Sequence, residues 1–227
     1  MVIAVNAQAI LDVTGFLVLP GIVSEAQCAW IASLLAGRQA GAGRRDLLEK
    51  DWCASLAATL RDTFDLGQVL TDMVAVQCTY FDKSAQSNWL VPLHQDLGIP
   101  VAEHVDSPEL QGWSIKQGVH HVQPPASLLT RMTAVRVHLD ESAEDNGPLR
   151  VIPGSHLAGR LQPEEMGEFR RIHGEVLCTT PRGGVVALKP LLLHASSKAT
   201  SNRPRRVLHY LYGPKQLPHG LAWHRAV

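Results

Sequence analysis

At 227 residues the chain is long enough to bury one sizeable core, and 21 Lys+Arg against 21 Asp+Glu leave it formally neutral. Neutrality argues against a nucleic-acid surface or an anionic-membrane surface, since each needs a basic excess. The four cysteines, Cys28, Cys53, Cys78 and Cys178, are widely scattered without a C-x-x-C pair, which fits a reduced compartment best and disfavours a thiolate metal site. They read as small apolar residues of a reduced compartment, so a soluble, cytoplasmic protein is expected. Residues 1–10 lack a basic n-region, and no apolar run reaches the length of a membrane span. A single domain over 1–227 is expected.

In chain order, Gly15 to Val23 reads as a short apolar strand closed by the Pro20-Gly21 turn. Ser24 then caps a helix with Gln27 at the capping-box position, and Ala29, Ile31, Leu34 and Leu35 supply its apolar residues. A second helix is expected from about Arg45 to Phe64, where Leu48, Trp52, Leu56 and Leu60 recur every fourth residue. From Val74 onward the pattern turns β-prone: Val74 to Phe81, Thr133 to Leu139, Gly147 to Ile152, Gly184 to Leu188 and Arg206 to Tyr212. Asp82 to Leu93 reads as a polar loop. Residues 98–130 read as a long irregular segment, a lid, binding loop or mobile stretch. The whole predicts an α+β chain, mainly β, with a jelly-roll core and N-terminal helices packed on it.

His94 and Asp96 are two residues apart, so on a strand both side chains point to one face. A third ligand from a distant strand would complete the two-His, one-carboxylate facial triad of non-heme Fe(II) oxygenases, which leaves positions open on the metal. With eleven histidines in the chain, His120, His121, His138, His156, His173 and His209 all compete for that place. His194 is preferred because Arg205 follows it, a guanidinium suited to a carboxylate co-substrate. Asn146-Gly147 and Pro153-Gly154-Ser155 are read first as turns, with His156 ordering its loop.

Four blocks together resemble the phytanoyl-CoA dioxygenase family of Fe(II)- and 2-oxoglutarate-dependent oxygenases. They are Gly15-Phe16-Leu17-Val18-Leu19-Pro20-Gly21, His94-Gln95-Asp96, Asp145 to His156, and His194-Ala195-Ser196 with Arg205. The resemblance implies a double-stranded β-helix (a cupin-like jelly roll) in which His94, Asp96 and His194 hold iron. It implies that Arg205 meets the distal carboxylate of 2-oxoglutarate, with Ser196 facing the same way and able to donate to it. Gln77 and Lys83 fall where similar proteins place polar contacts to co-substrate or substrate, although Lys83 fits a surface lysine equally well. Thr133, on a strand the resemblance places beside the site, is counted among the co-substrate contacts. It shares a face with Arg131, while Arg136 points the other way, and one of these arginines is a candidate to meet an acidic substrate. Trp89 and Trp113 are candidates for the substrate mouth. Arg203 and Arg206 read as solvated charges.

The implied chemistry consumes O2 and 2-oxoglutarate, releases succinate and CO2, and oxidises a small-molecule substrate. Retention of Asp96, where related halogenases carry a small residue, favours hydroxylation. Two alternatives remain at this stage: a metal-binding cupin-like jelly roll that does not use 2-oxoglutarate, and a non-catalytic small-molecule binding module. Substrate identity and oligomeric state are not readable.

Overall fold

The computed structural model describes residues 6–37 and 43–227. Among the described residues twelve strands form three antiparallel sheets. The largest contains β1 (Phe16–Leu19), β2 (Met73–Lys83), β7 (Thr133–His138), β10 (Val185–Leu188) and β12 (Arg205–Pro214), in the order β1-β10-β7-β12-β2. The second contains β3 (Val91–His94), β8 (Leu149–Val151), β9 (Val176–Cys178) and β11 (His194–Ser196), ordered β3-β11-β8-β9. A third is built from β4 (Ile99–Val101), β5 (Gln111–Lys116) and β6 (Val119–Gln123), with β6 central.

Alternation along the strands of the large sheet divides its side chains between two cores. On one face Val135, Val137, Val185, Ala187, Leu208, Tyr210 and Tyr212 pack against four helices: α1 (Ala7–Thr14), α2 (Glu25–Leu35), α3 (Asp51–Arg61) and α4 (Phe64–Val69). On the other, Ala134, Val186, Leu188 and Leu211 meet Leu149, Val151 and Cys178 of the second sheet. Two facing antiparallel sheets with helices on the outside make the double-stranded β-helix that the sequence predicted. A bulge opposite Leu211 and Tyr212 skips Val76, so Ala75 and Cys78 share the helix face despite their odd spacing. Tyr210 Oη donates to Cys53 O (3.1 Å) and Tyr212 Oη to Ala57 O (2.9 Å), fixing α3 on the sheet. All four cysteines are free and buried.

Ser24 caps α2 as expected, accepting from Gln27 N at 3.2 Å. The buried stripe is Cys28, Ile31, Ala32 and Leu35, whereas Ala29 and Leu34 are exposed, so that part of the expected pattern is corrected. The expected Arg45–Phe64 helix is also broken. A 3-10 turn at Leu47–Glu49 precedes α3, and the extended backbone of Lys50 (φ −88°, ψ 131°) separates them. Ahead of that turn, Arg44 bridges Tyr80 and Asp46 bridges Cys78, so β2 draws this stretch away from the helix. Leu48, Leu56 and Leu60 are nevertheless buried.

The clearest correction concerns 98–130, which holds the third sheet and a short helix, α5 (Ala126–Leu129), rather than an irregular loop. Its hairpin closes through Gln117 (φ 52°) and Gly118 (φ 83°), a two-residue turn with both φ positive that matches strand twist. The polar stretch before His94 likewise ends in β3. Helix α6 (Pro163–His173) was not among the expected elements; Gln162 starts it by donating from its backbone N to Glu165 Oε2 at 2.6 Å. Among the described residues no helix is long and apolar enough to cross a membrane.

Candidate metal centre and active site

His94 ends β3 and His194 begins β11, and the two are direct partners across that ladder, their ring centroids 4.2 Å apart. Asp96 lies beyond the strand, so the expectation of one strand carrying both ligands is corrected; its backbone N donates instead to Pro190 O at 2.9 Å. The carboxylate reaches both rings: His94 Nε2 is 3.6 Å from Oδ1 and His194 Nε2 is 3.6 Å from Oδ2. One ligand atom from each residue falls within 4.8 Å of the others.

The hydrogen bonds set the tautomers. His94 Nδ1 donates to Pro92 O (2.8 Å) and His194 Nδ1 to Leu192 O (2.9 Å), because a carbonyl can only accept. Both Nε2 lone pairs are thereby presented to the common centre, as a metal requires. Burial pushes the His194 imidazole down to about 4 despite the Asp96 charge, keeping it neutral. At His94 burial acts downward too, but the Asp96 contact outweighs it and the net shift is upward. At Asp96 burial favours the acid, and the three imidazoles of His194, His94 and His209 overcome it, holding the carboxyl well below its ordinary range.

His209 is the rival ligand, with Nε2 3.8 Å from Asp96 Oδ2. Its Nδ1, however, accepts from Arg136 Nη1 at 3.1 Å, so Nε2 carries the proton and has no lone pair for a metal. Burial and Arg136 push it down to about 3. Of the other competitors, His121 stands in the cavity wall against Gln77 and outside the ligand cluster, His156 lies against Asp12 O, His138 is sealed in the interior, and His173 ends exposed α6.

Gln95 was not singled out from the sequence, yet it fixes the loop between the ligands. Its Nε2 donates to Gly159 O and Leu191 O, both at 2.7 Å, and its Oε1 accepts from Leu161 N at 2.9 Å. The only signal for it was its place between His94 and Asp96.

Arg205 opens β12 and is 3% exposed. Its Nε donates to Asn146 O (3.3 Å) and Nη2 to Ser196 Oγ (3.4 Å), while Nη1 is buried without a partner. Lys83, its register partner on β2, is 1% exposed, which corrects the surface reading. Lys83 Nζ donates to Ser196 Oγ (2.9 Å) and Ser197 O (2.6 Å), and lies 5.4 Å from the Trp89 ring centroid. Ser196 Oγ passes its own proton to Gly147 O at 2.9 Å. Burial, with Arg205 and Arg136 nearby, pushes Lys83 down to about 7, and burial with Arg136 takes Arg205 to about 9.

One cavity of about 550 Å³ has His94, Asp96, His194, Ser196, Arg205, Gln77, Trp89 and Arg136 in its wall, with Lys83 outside it behind Ser196. The Gln77 amide lies 3.0 Å from His121 Nε2 and 2.9 Å from Thr79 Oγ1. Thr133 is not brought to the site: it is fully buried on the helix-facing side with Val135 and Val137, the parity opposite to Arg136. Trp113 also lies outside the cavity wall, its ring tilted by 36° against that of His104 with centroids 4.2 Å apart. Arg203 and Arg206 pair with acids, Arg203 with Glu141 and Asp145 and Arg206 with Asp140.

A double-stranded β-helix presenting two imidazoles and one carboxylate to a cavity defines a facial-triad metal site. The family profile for phytanoyl-CoA dioxygenase (PhyH) matches residues 11–207, and the chain belongs to that family. L-proline trans-4-hydroxylase from Streptomyces griseoviridis is 31% identical, the match covering 34% of this chain and only 39% of that protein's length. EctD from S. alaskensis, solved with 2-oxoglutarate and 5-hydroxyectoine, superposes with a TM-score of 0.70 at 21% identity, covering 96% of this chain and 80% of its own. SnoK, a non-heme alpha ketoglutarate dependent carbocyclase from nogalamycin biosynthesis, gives 0.68 at 14% identity, covering 94% and 85% respectively.

Proposed function

We propose that the protein is an Fe(II)- and 2-oxoglutarate-dependent oxygenase that uses O2 to hydroxylate a small molecule, releasing succinate and CO2. The observation that carries this reading is Arg205 Nη1, a buried guanidinium nitrogen without a partner in the same cavity as the triad. A buried charge left unpaired is costly, and a dicarboxylate end group would satisfy it. The triad fits Fe(II): two imidazoles that turn Nε2 to one centre, one ionised carboxylate, and no protein atom needed for the remaining positions.

His94, Asp96 and His194 would hold the iron, which when bound supplies O2 activation. Arg205 would hold the distal carboxylate of 2-oxoglutarate, and Ser196, positioned by Lys83, would join it by turning its hydroxyl from Gly147 O. Leu97, Ile99, Leu129, Met132 and Leu211 give the cavity an apolar wall that limits water. The proline hydroxylase relative and the 2-oxoglutarate-bound EctD neighbour support hydroxylation of a small molecule. In this reading 1–227 is one domain, its partners are O2 and small molecules rather than nucleic acid or membrane, and four unpaired cysteines accord with a cytoplasmic location.

Anaerobic titration of the metal-free protein with Fe(II) and 2-oxoglutarate tests the reading. A visible charge-transfer band that requires both components is expected. Its absence in folded, iron-loaded protein would replace this reading with a metal-binding jelly roll that does not use 2-oxoglutarate.

A further inference from the structure

The chain is neutral overall, but its cavity is not. Among the described residues, Arg45, Lys116, Arg136 and Arg205 line it, and Asp96 is the only acidic residue in its wall. A bound dication and a bound dicarboxylate cancel each other, so the lining keeps three surplus positive charges. Arg205 is engaged by the co-substrate in the proposed function, and Arg136 is bonded to His209. Arg45 and Lys116 are left over, and they lie on the same side of the cavity: Gln117, next to Lys116, accepts from Arg45 N, and the two charges bear on each other and on His121. Among the described residues, the one carboxylate whose charge reaches either of them is Asp96.

Arg45 is held in place by its backbone. Gln117, in the tight turn of the β5–β6 hairpin, accepts from Arg45 N through Oε1 (2.9 Å) and donates from Nε2 to Gly43 O (3.0 Å). On the other side Arg44 exchanges both backbone hydrogen bonds with Tyr80 of β2, at 3.0 and 2.8 Å. The segment is therefore clamped between hairpin and sheet, with the Arg45 side chain half-buried in the cavity wall. Lys116, on the strand leading into the same turn, reaches back so that Nζ lies 3.7 Å from where a side chain on Gly98 would begin. A guanidinium on a fixed backbone and an ammonium on a four-carbon stem together match one carboxylate, the first by a planar fork and the second as a point charge.

We infer that Arg45 and Lys116 form a recognition site for a carboxylate on the substrate, so that the enzyme takes small carboxylic acids rather than neutral or cationic compounds. The inference rests on the oxygenase reading for its word "substrate", but the site itself does not depend on iron.

The test uses small carboxylic acids and their primary amides, L-proline and L-prolinamide among them, as matched pairs. Binding is read by ligand-observed NMR on the full chain without iron, and by the shift of the charge-transfer band on the anaerobic Fe(II)–2-oxoglutarate complex. At least one acid is expected to bind about tenfold or more tightly than its amide, a preference that Arg45→Gln and Lys116→Gln each reduce by about tenfold. Arg45→Lys, which keeps the charge but loses the fork, should retain part of it. Thermal unfolding of each variant separates lost recognition from lost folding. Acids that bind no better than amides, or that bind folded variants as well as the native chain, would overturn the inference. If the acid preference stands while no band forms, the oxygenase reading fails and the carboxylate site survives.

Discussion

Lys83 and Arg205 face each other across the β2–β12 ladder, and both donate to one hydroxyl, Ser196 Oγ, at 2.9 and 3.4 Å. Two buried cations sharing one neutral acceptor is an unfavourable arrangement in an empty protein and a favourable one around an anion. The cost appears as the depressed proton affinity of Lys83, caused by burial and by Arg205 and Arg136.

That depression has a defined effect on stability. The folded-state value of about 7 lies below the ordinary 10.5, so between them the unfolded chain binds the proton that the folded one releases. The Lys83 penalty is therefore complete below pH 7 and fades as pH rises towards 10.5. Urea unfolding of metal-free protein at a series of pH values should show Lys83→Met losing this alkaline gain relative to the native chain. Parallel pH profiles would show that Lys83 is already satisfied in the folded state.

Arg205→Ala should weaken 2-oxoglutarate binding by about 30-fold or more, the usual scale for removing one partner of a buried charged contact. Fe(II) affinity should be largely kept, because Arg205 touches none of the ligands. Equilibrium titration of each component separates the two. Unchanged 2-oxoglutarate affinity in this variant would remove Arg205 from the co-substrate site.

How legible this was in the sequence depended on the kind of signal. Thr133 to Leu139 and Arg206 to Tyr212 were readable because β-branched and aromatic residues crowd short windows, and both became long ladders of the large sheet. His194 was found through Arg205 rather than its own surroundings. Residues 98–130 were missed because the hairpin turn uses Gln117 where asparagine or aspartate would announce it, and its φ of 52° shows only in the structure. Lys83 stays open between site and surface in the sequence because a lysine's default is the surface, and what holds it inside is Ser196, 113 residues away. Thr133 failed on strand parity: the same alternation that turns Arg136 into the cavity turns Thr133 out of it.

The Asn146-Gly147 turn supports the co-substrate end. Gly147 has φ 70°, and a Cβ there would fall 2.5 Å from Ser197 O and 3.1 Å from Lys83 Nζ. Gly147→Ala therefore strains the backbone and displaces the carbonyl that accepts from Ser196. A loss of about 1–3 kcal/mol is expected by denaturant unfolding, together with weaker 2-oxoglutarate binding. A variant as stable as the native chain would show that Ser197 can move aside freely.

Gln95 gives the sharpest test of what holds the metal ligands in place. It touches no ligand atom, yet its three hydrogen bonds tie the His94–Asp96 loop to Gly159, Leu161 and Leu191, the last being three residues before His194. One amide thus sets the spacing between the two halves of the triad. Gln95→Ala leaves those backbone groups without their partner and frees Asp96 to drift from the His94 and His194 Nε2 atoms. Fe(II) affinity should fall about 10- to 100-fold, the range found when groups that orient metal ligands are removed. Gln95→Glu can keep the acceptor to Leu161 N but replaces the donating amide with an oxygen facing two carbonyls, so it should fall nearly as far. A merely structural role predicts a different pattern, with both variants less stable but binding Fe(II) normally once folded, and metal titration of folded protein distinguishes the two.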